Sequence, residues 1–219
     1  MTVQDPPTRP AAEAPVPVPP AIPDAAGAVR TGAITLVRHG EPALSRKCLI
    51  TARQYGDWWA KYEVGGLRAG QTPPPELLAA VEGAGAIYAS TRPRAMETAT
   101  AASGARDVRV DALFIEAPLP PPSLPDFIKL SPKWWGVVAR IWWHWSDRHH
   151  QQETRAEAEV RAEQAAQVLI ERAASGQDVL VFAHGYFNHM VGRRLKADGW
   201  RLVHDQGFRY WSQRRYQRA

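Results

Sequence analysis

Three short stretches of the sequence put cationic or imidazole side chains where an apolar run stops, a combination suited to holding an oxyanion. In Arg38–His39–Gly40 the arginine supplies a fixed charge and a planar fork of donors that fits phosphate oxygens. The histidine has an uncharged ring nitrogen near neutral pH, so it can serve as nucleophile, base or ligand. Gly40 lets the backbone approach an anion closely or take a positive φ. Taken alone, the tripeptide equally describes a histidine that closes a loop after a strand. The second stretch, Ser90 through Ala99, puts Arg94 in the first turn of an expected helix, whose free N–H groups and dipole favour anions. Ser90 can cap that helix or bind the anion, and capping is the simpler role. The third stretch, His184–Gly185, adds a second imidazole.

Each stretch follows a run that reads as a strand: 33–37, 86–89 and 178–183, the last being the clearest buried strand in the chain. Ligands collect beyond the carboxyl ends of strands in open α/β sheets, so all three runs deliver their polar residues to one crevice. A further alternating strand is read at Val108–Val110. Helices fall between the strands. One runs from an N-cap at Thr51 to about Tyr62, with Tyr55, Trp59 and Tyr62 on one face, and another spans 76–81. A long charged helix covers about 153–174, where Glu157 and Arg161 read as a surface ion pair. A last helix opens at Tyr186, with Asn188 reading as a surface amide and His189 packing away from the crevice. Alternation of this kind predicts a three-layer α/β/α sandwich with a mostly parallel central sheet.

The 219 residues are 45% hydrophobic and 22% charged, enough for one domain with a sizeable core. A net charge of +5 favours anionic partners without choosing among them. The single cysteine, Cys48, excludes an internal disulfide framework and a cysteine-based zinc cluster. No apolar run is long enough to span a bilayer, and the N-terminus lacks the basic start and apolar core of a secretory signal, so the cytoplasm is the expected location. Residues 1–31 are rich in Pro and Ala and lack the apolar groups to build a core. They read as a disordered or polyproline-II tail, with the folded domain at 32–219.

Arg38–His39–Gly40 after the first strand, Ser90 through Ala99 after the next, and His184–Gly185 between strand and helix together resemble the histidine phosphatase superfamily (phosphoglycerate-mutase-like). The likeness covers roughly 33–195, with gaps around 65–75 and 118–146. It implies that His39 attacks phosphorus and becomes phosphohistidine, while Arg38, Arg94 and His184 hold the equatorial oxygens. It also implies an acidic proton donor for the leaving oxygen, for which Glu116 is the matching residue, and it calls for no metal or other cofactor. Positioning and neutralised charge are what phosphoryl transfer needs from a protein. The resemblance thus implies a phosphatase acting on a phosphorylated small molecule. Mutase activity is the variant within that chemistry, and Pro42–Ala43–Leu44 replaces the polar residues that usually follow Arg-His-Gly. A non-catalytic phosphate-binding protein is the alternative from another class.

Residues 131–146 hold five tryptophans. Trp134, Val138, Ile141, Trp142 and Trp145 share one helical face, and Trp135, Ala139 and Trp143 lie on another. Such girth suits a core or lid helix within an insert at about 118–150, then an oligomer interface, then a membrane surface. His144, His149 and His150 lack a carboxylate or cysteine at ligand spacing and read as a solvated helix end. Arg209, Arg214, Arg215 and Arg218 beside Tyr210, Trp211 and Tyr216 resemble a base-stacking surface. The preferred reading has them lying over an edge strand, and no nucleic acid is expected as partner.

Overall fold

The computed structural model describes residues 30–145 and 152–218. The Pro/Ala-rich stretch, apart from its last two residues, lies outside them, as do His149 and His150.

Six strands form one sheet in the order β3-β2-β4-β1-β6-β5. They are β1 (Ile34–Arg38), β2 (Ala86–Ser90), β3 (Arg109–Asp111), β4 (Val179–Ala183), β5 (Trp200–Asp205) and β6 (Gln213–Arg218). The first four are mutually parallel, and the β5–β6 hairpin adds to β1 in the antiparallel sense. β1, β2 and β4 are buried almost throughout, as expected of parallel strands covered on both faces.

The covering helices sort by the two-residue alternation of the strands. Ile34, Leu36, Val179, Val181 and Ala183 pack with α5 (Arg155–Ala173) and α6 (Gly185–Ala197). Val37, Ile87, Ala89, Leu180 and Phe182 pack with α2 (Pro75–Glu82) and α3 (Pro93–Ser103). The α5 stripe is mostly alanine, which lets this helix lie close against the sheet and α6. The three-layer sandwich with a mostly parallel sheet is therefore observed.

A separate cluster joins α1 (Ala52–Val64) to α4 (Pro132–Trp145) beyond the carboxyl ends of the strands. Thr51 begins α1 with a capping box shared with Gln54. The buried face of α1 is Tyr55, Trp58 and Tyr62, so Trp58 rather than Trp59 is the core member. Tyr55 stacks with Trp58 and Trp135, which draws that face towards α4, whereas Trp59 lines a cavity. On α4, Trp135, Ala139 and Trp143 are buried, and the indole N–H groups of Trp135 and Trp143 donate to the carbonyls of Ile50 and Glu153 at 2.7 and 3.2 Å. Trp134, Val137, Ile141 and Trp145 lie at the surface. The helix thus belongs to the core along one face only.

Three local expectations are corrected. β6 is interior to the sheet and β5 is the edge, so Arg214 and Arg215 stand on an interior strand and are held by ion pairs. They pair with Asp205 and Asp178, at 2.9 and 2.6 Å. Arg161 pairs with Glu153 at 2.6 Å and donates to the carbonyls of Leu113 and Ile115, while Glu157 serves in the capping box of Thr154. Asn188 is buried and donates to the carbonyl of Val37 at 3.0 Å, because α6 lies directly on β1. No helix among the described residues is long and apolar enough to cross a membrane.

Candidate active site

Parallel pairing fixes the geometry of the site. Arg38 is level with Ala183 across β1 and β4, so the next residues, His39 and His184, emerge side by side. The His39 N–H donates to the Ala183 carbonyl at 3.0 Å, and the two imidazole centroids are 5.3 Å apart. On the other side of β4, Ala89 is level with Phe182, which carries Ser90 to His184. The Ser90 hydroxyl lies 2.9 Å from Nε2 of His184 and also accepts from the N–H of Arg92. Ser90 thus joins the turn into α3 to the second histidine.

His39 is 2% exposed and His184 fully buried. Nδ1 of His39 is 2.7 Å from the carbonyl of Gly40, which can only accept, so Nδ1 carries the proton and Nε2 keeps its lone pair. Burial, reinforced by Arg94 and then Arg38, holds the His39 pKa well below 6.5. Burial and Arg94 lower that of His184 in the same way. Both imidazoles are therefore neutral at physiological pH, the state a nitrogen nucleophile needs.

Arg38 leaves β1 towards the β5–β6 connection, where its guanidinium donates to the Phe208 carbonyl and lies 4.6 Å from the Tyr210 ring. Arg94 is fully buried. It donates to the Tyr62 carbonyl at 2.9 Å and to Glu63 at 2.8 Å, with its guanidinium over the Tyr62 ring. Glu63 also pairs with Arg92 at 2.6 Å, so the end of α1 gathers both arginines of the β2–α3 turn. Glu116 follows the 3-10 turn Ala112–Phe114 and accepts from the N–H groups of Phe187 and Tyr186 in the first turn of α6, at 2.9 and 3.4 Å. Its loop is fixed by Arg161 and by Arg140, which donates to the carbonyls of Ala117 and Pro118. All five residues expected at the site thus converge on the ends of β1, β2 and β4, Glu116 being carried in from beyond β3.

Buried polar atoms without a hydrogen-bond partner are uncommon in folded proteins. Here Nε of Arg38, Arg46, Arg92 and Arg94 and Nδ1 of His184 are all in that condition. Arg38, Arg46 and Arg94 all act electrostatically on His39, and Arg38, Arg92 and Arg94 on His184. Each of these arginines thus keeps a buried Nε without an acceptor near the histidines, although terminal nitrogens of Arg38, Arg92 and Arg94 are engaged by Phe208, Glu63 and Tyr62.

The β5–β6 connection closes over these groups. Tyr210 stands 5.9 Å from the His39 ring, and the N–H of Trp211 donates to the His39 carbonyl. Trp211 has φ of 63°, the only positive value at a non-glycine among the described residues, a conformation that costs roughly 1–3 kcal/mol. Its indole covers Gly40 so closely that a Cβ there would meet ring carbons at 2.6 Å. Gly40 is required by this contact, not by a positive φ.

Two cavities flank the site. One, of about 720 Å³, is lined by Trp59, Pro118 and Pro121 together with Glu63, Arg92 and Glu116. The other, of about 690 Å³, has Arg38 and Tyr210 in its wall. No group of three or more His, Cys, Asp or Glu among the described residues is arranged to hold a metal ion, and His144 is bonded to the Tyr186 hydroxyl at 2.9 Å.

Compared with known families, residues 74–209 match the histidine phosphatase superfamily (branch 1). The chain belongs to that superfamily. The matched region contains Ser90, Arg94, Glu116 and His184, and pairing with β4 brings Arg38 and His39 to them from β1. The product of open reading frame Rv3214 of Mycobacterium tuberculosis has a similar fold, with a TM-score of 0.51 and 20% identity over 84% of this chain and 90% of that one. A phosphoglycerate mutase from Bacillus anthracis str. Sterne gives 0.50 and 17% identity over 85% of this chain and 89% of that one. No curated protein sequence matches the chain.

Three further residues of this histidine phosphatase family member belong to the site. Glu63 organises Arg92 and Arg94 from the end of α1, and no local pattern marks it. Arg46, which the sequence offers as a basic loop residue able to guide an anionic substrate, stands among the cations around His39. Tyr210, read from sequence as one of the rings beside the C-terminal arginines, covers the site. Ser90 was noticed for its position but assigned to the helix cap rather than to His184.

Proposed function

We propose that the protein is a metal-independent phosphatase that hydrolyses a phosphorylated small molecule through a phosphohistidine at His39. The observation that carries this reading is the neutral His39 with its Nε2 lone pair free, set among arginines whose buried Nε atoms lack acceptors. Phosphate oxygens are the acceptors such a ring suits.

In the first step the Nε2 lone pair attacks phosphorus, the bond to the ester oxygen breaks, and that oxygen takes a proton from Glu116. Arg38, Arg94 and His184 hold the three remaining oxygens as charge redistributes among them. In the second step water gives its proton to Glu116 and attacks phosphorus. The P–N bond breaks, orthophosphate leaves, and His39 returns to its neutral form. Glu116 is positioned for these transfers by the N–H groups of Phe187 and Tyr186 at the start of the helix that His184 caps.

The test measures phosphate release from an aryl phosphate with a chelator present, using wild type and His39→Ala, and traps the phosphoenzyme with radiolabelled substrate. Release by wild type, an acid-labile and alkali-stable adduct, and a loss of roughly a thousandfold or more in the variant are expected. Comparable turnover by His39→Ala would overturn the mechanism.

A further inference from the structure

We infer that the substrate carries a second anionic group, a phosphate or carboxylate set off by a short carbon chain, which is held in the basic cavity beside Arg38. The inference rests on the phosphatase reading for the identity of the reacting end.

The lining of this cavity is electrostatically lopsided. Arg38, Arg46, Lys47, Arg68, Lys133 and Arg209 contribute six cations against the single carboxylate of Glu41. That carboxylate is already taken by Arg68 at 2.7 Å. None of the other five cations has an ion-pair partner among the described residues. A cluster of like charges opposes folding unless something offsets it, and an anionic ligand does so. The cations also come from separate parts of the chain: the loop after β1, the segment after α1, the first turn of α4 and the β5–β6 connection. Convergence from four places differs from a solvated charge run. Lys133 stands in the first turn of α4, where the helix dipole disfavours a cation. Helix stability therefore does not account for its charge.

Arg46 links the cavity to the nucleophile. It lines the cavity, its guanidinium lies 5.4 Å from the Tyr62 ring, and its buried Nε lacks a partner. Arg94 covers the same ring at 4.4 Å, and Arg46 acts electrostatically on His39. A ligand with one phosphate at Arg38 and Arg94 would thus extend its remainder past Arg46 towards Lys47 and Lys133.

The cavity on the other flank makes the contrast. Its two arginines are already paired, Arg92 with Glu63 and Arg161 with Glu153, both at 2.6 Å, and Glu116 adds a further carboxylate. Both cavities have the size of small-molecule sites, and only the one beside Arg38 offers surplus positive charge.

The experiment is titration calorimetry of the full chain with two non-hydrolysable probes, butylphosphonate and tetramethylene bisphosphonate. Wild type is compared with Lys47→Gln/Lys133→Gln, at two exposed positions. Aryl phosphate hydrolysis is measured in parallel. Charge-assisted hydrogen bonds predict that wild type prefers the bisphosphonate by roughly 10- to 100-fold. The preference should fall to within about threefold in the double variant and shrink between about 0.05 M and about 0.5 M salt. Equal affinity for the two probes in wild type, or no binding of either, overturns the inference. A preference that survives in the double variant also overturns it, because the second anion then binds elsewhere. Hydrolysis judges the other claim. A bisphosphonate preference without any turnover retains the second-anion site and removes the phosphatase reading.

Discussion

His39 and His184 are buried as neutral imidazoles, and that makes the fold sensitive to acid. In the unfolded chain both titrate near 6.5, whereas in the folded protein burial and the neighbouring arginines hold both pKa values well below that. The folded state therefore binds fewer protons in the window from 6.5 downward. Stability is fully present above 6.5 and is lost as pH falls towards the folded values. One pH unit below 6.5, each histidine costs on the order of 1 kcal/mol and the pair roughly twice that, a large share of the stability of a domain. The assay is urea denaturation at about pH 7.5 and about pH 5.5, which brackets the histidine range while leaving most carboxylates ionised. Wild type is compared with His39→Asn and with His39→Asn/His184→Asn, in which the amide replaces a ring nitrogen without a titrating group. The acid-induced loss should shrink by on the order of 1 kcal/mol in the single variant and by roughly twice that in the double. His144 and His189, also lowered, remain in all three proteins and cancel. Equal acid sensitivity in wild type and the double variant would refute the reasoning, because the histidines would then be hydrated or paired with acids in solution.

Two further outcomes follow from single contacts. Asn188→Leu removes the side-chain donor to the Val37 carbonyl, which keeps its backbone partner across the β1–β4 ladder, so thermal or urea unfolding should show a loss of about 0.5–1.5 kcal/mol; a neutral result would mean that water replaces the amide at the end of β1. Ser90→Ala deprives Nε2 of His184 of its partner while leaving the strand intact, so kcat on an aryl phosphate should fall by roughly tenfold or more with KM little changed. A change in KM alone would assign Ser90 to substrate binding rather than to the orientation of His184.

The placement of Arg38, His39, Arg94 and His184 is largely a sequence property. Three apolar runs that can only be buried strands each stop at a polar, glycine- or proline-marked turn, and parallel strands deliver their ends to one side of a sheet. The Thr51 cap, the α2 helix and the strand beginning at Val179 were legible for the same reason: each is written in residues adjacent along the chain. What the sequence left open depends on which face meets which. On α4 both faces are apolar, so periodicity alone could not say that Trp135 and Trp143 go inward while Trp134 and Trp145 remain at the surface; stacking of Tyr55 on Trp135 decides it. Trp58 displaced Trp59 from the core because α1 leans towards α4. Asn188 read as a surface amide because helical spacing does not reveal how closely α6 lies over β1. Glu63 has no signature in the sequence, since its pairing with Arg94 lies 31 residues along the chain and has no period to detect, and the roles of Arg46 and Tyr210 beside His39 likewise depend on how the loops fold back over the strand ends. The sequence by itself determined the strand ends and the chemistry they carry. Only the tertiary structure decided which cations are paired and which remain free, because ion pairing is settled by distances between elements that the chain order does not encode.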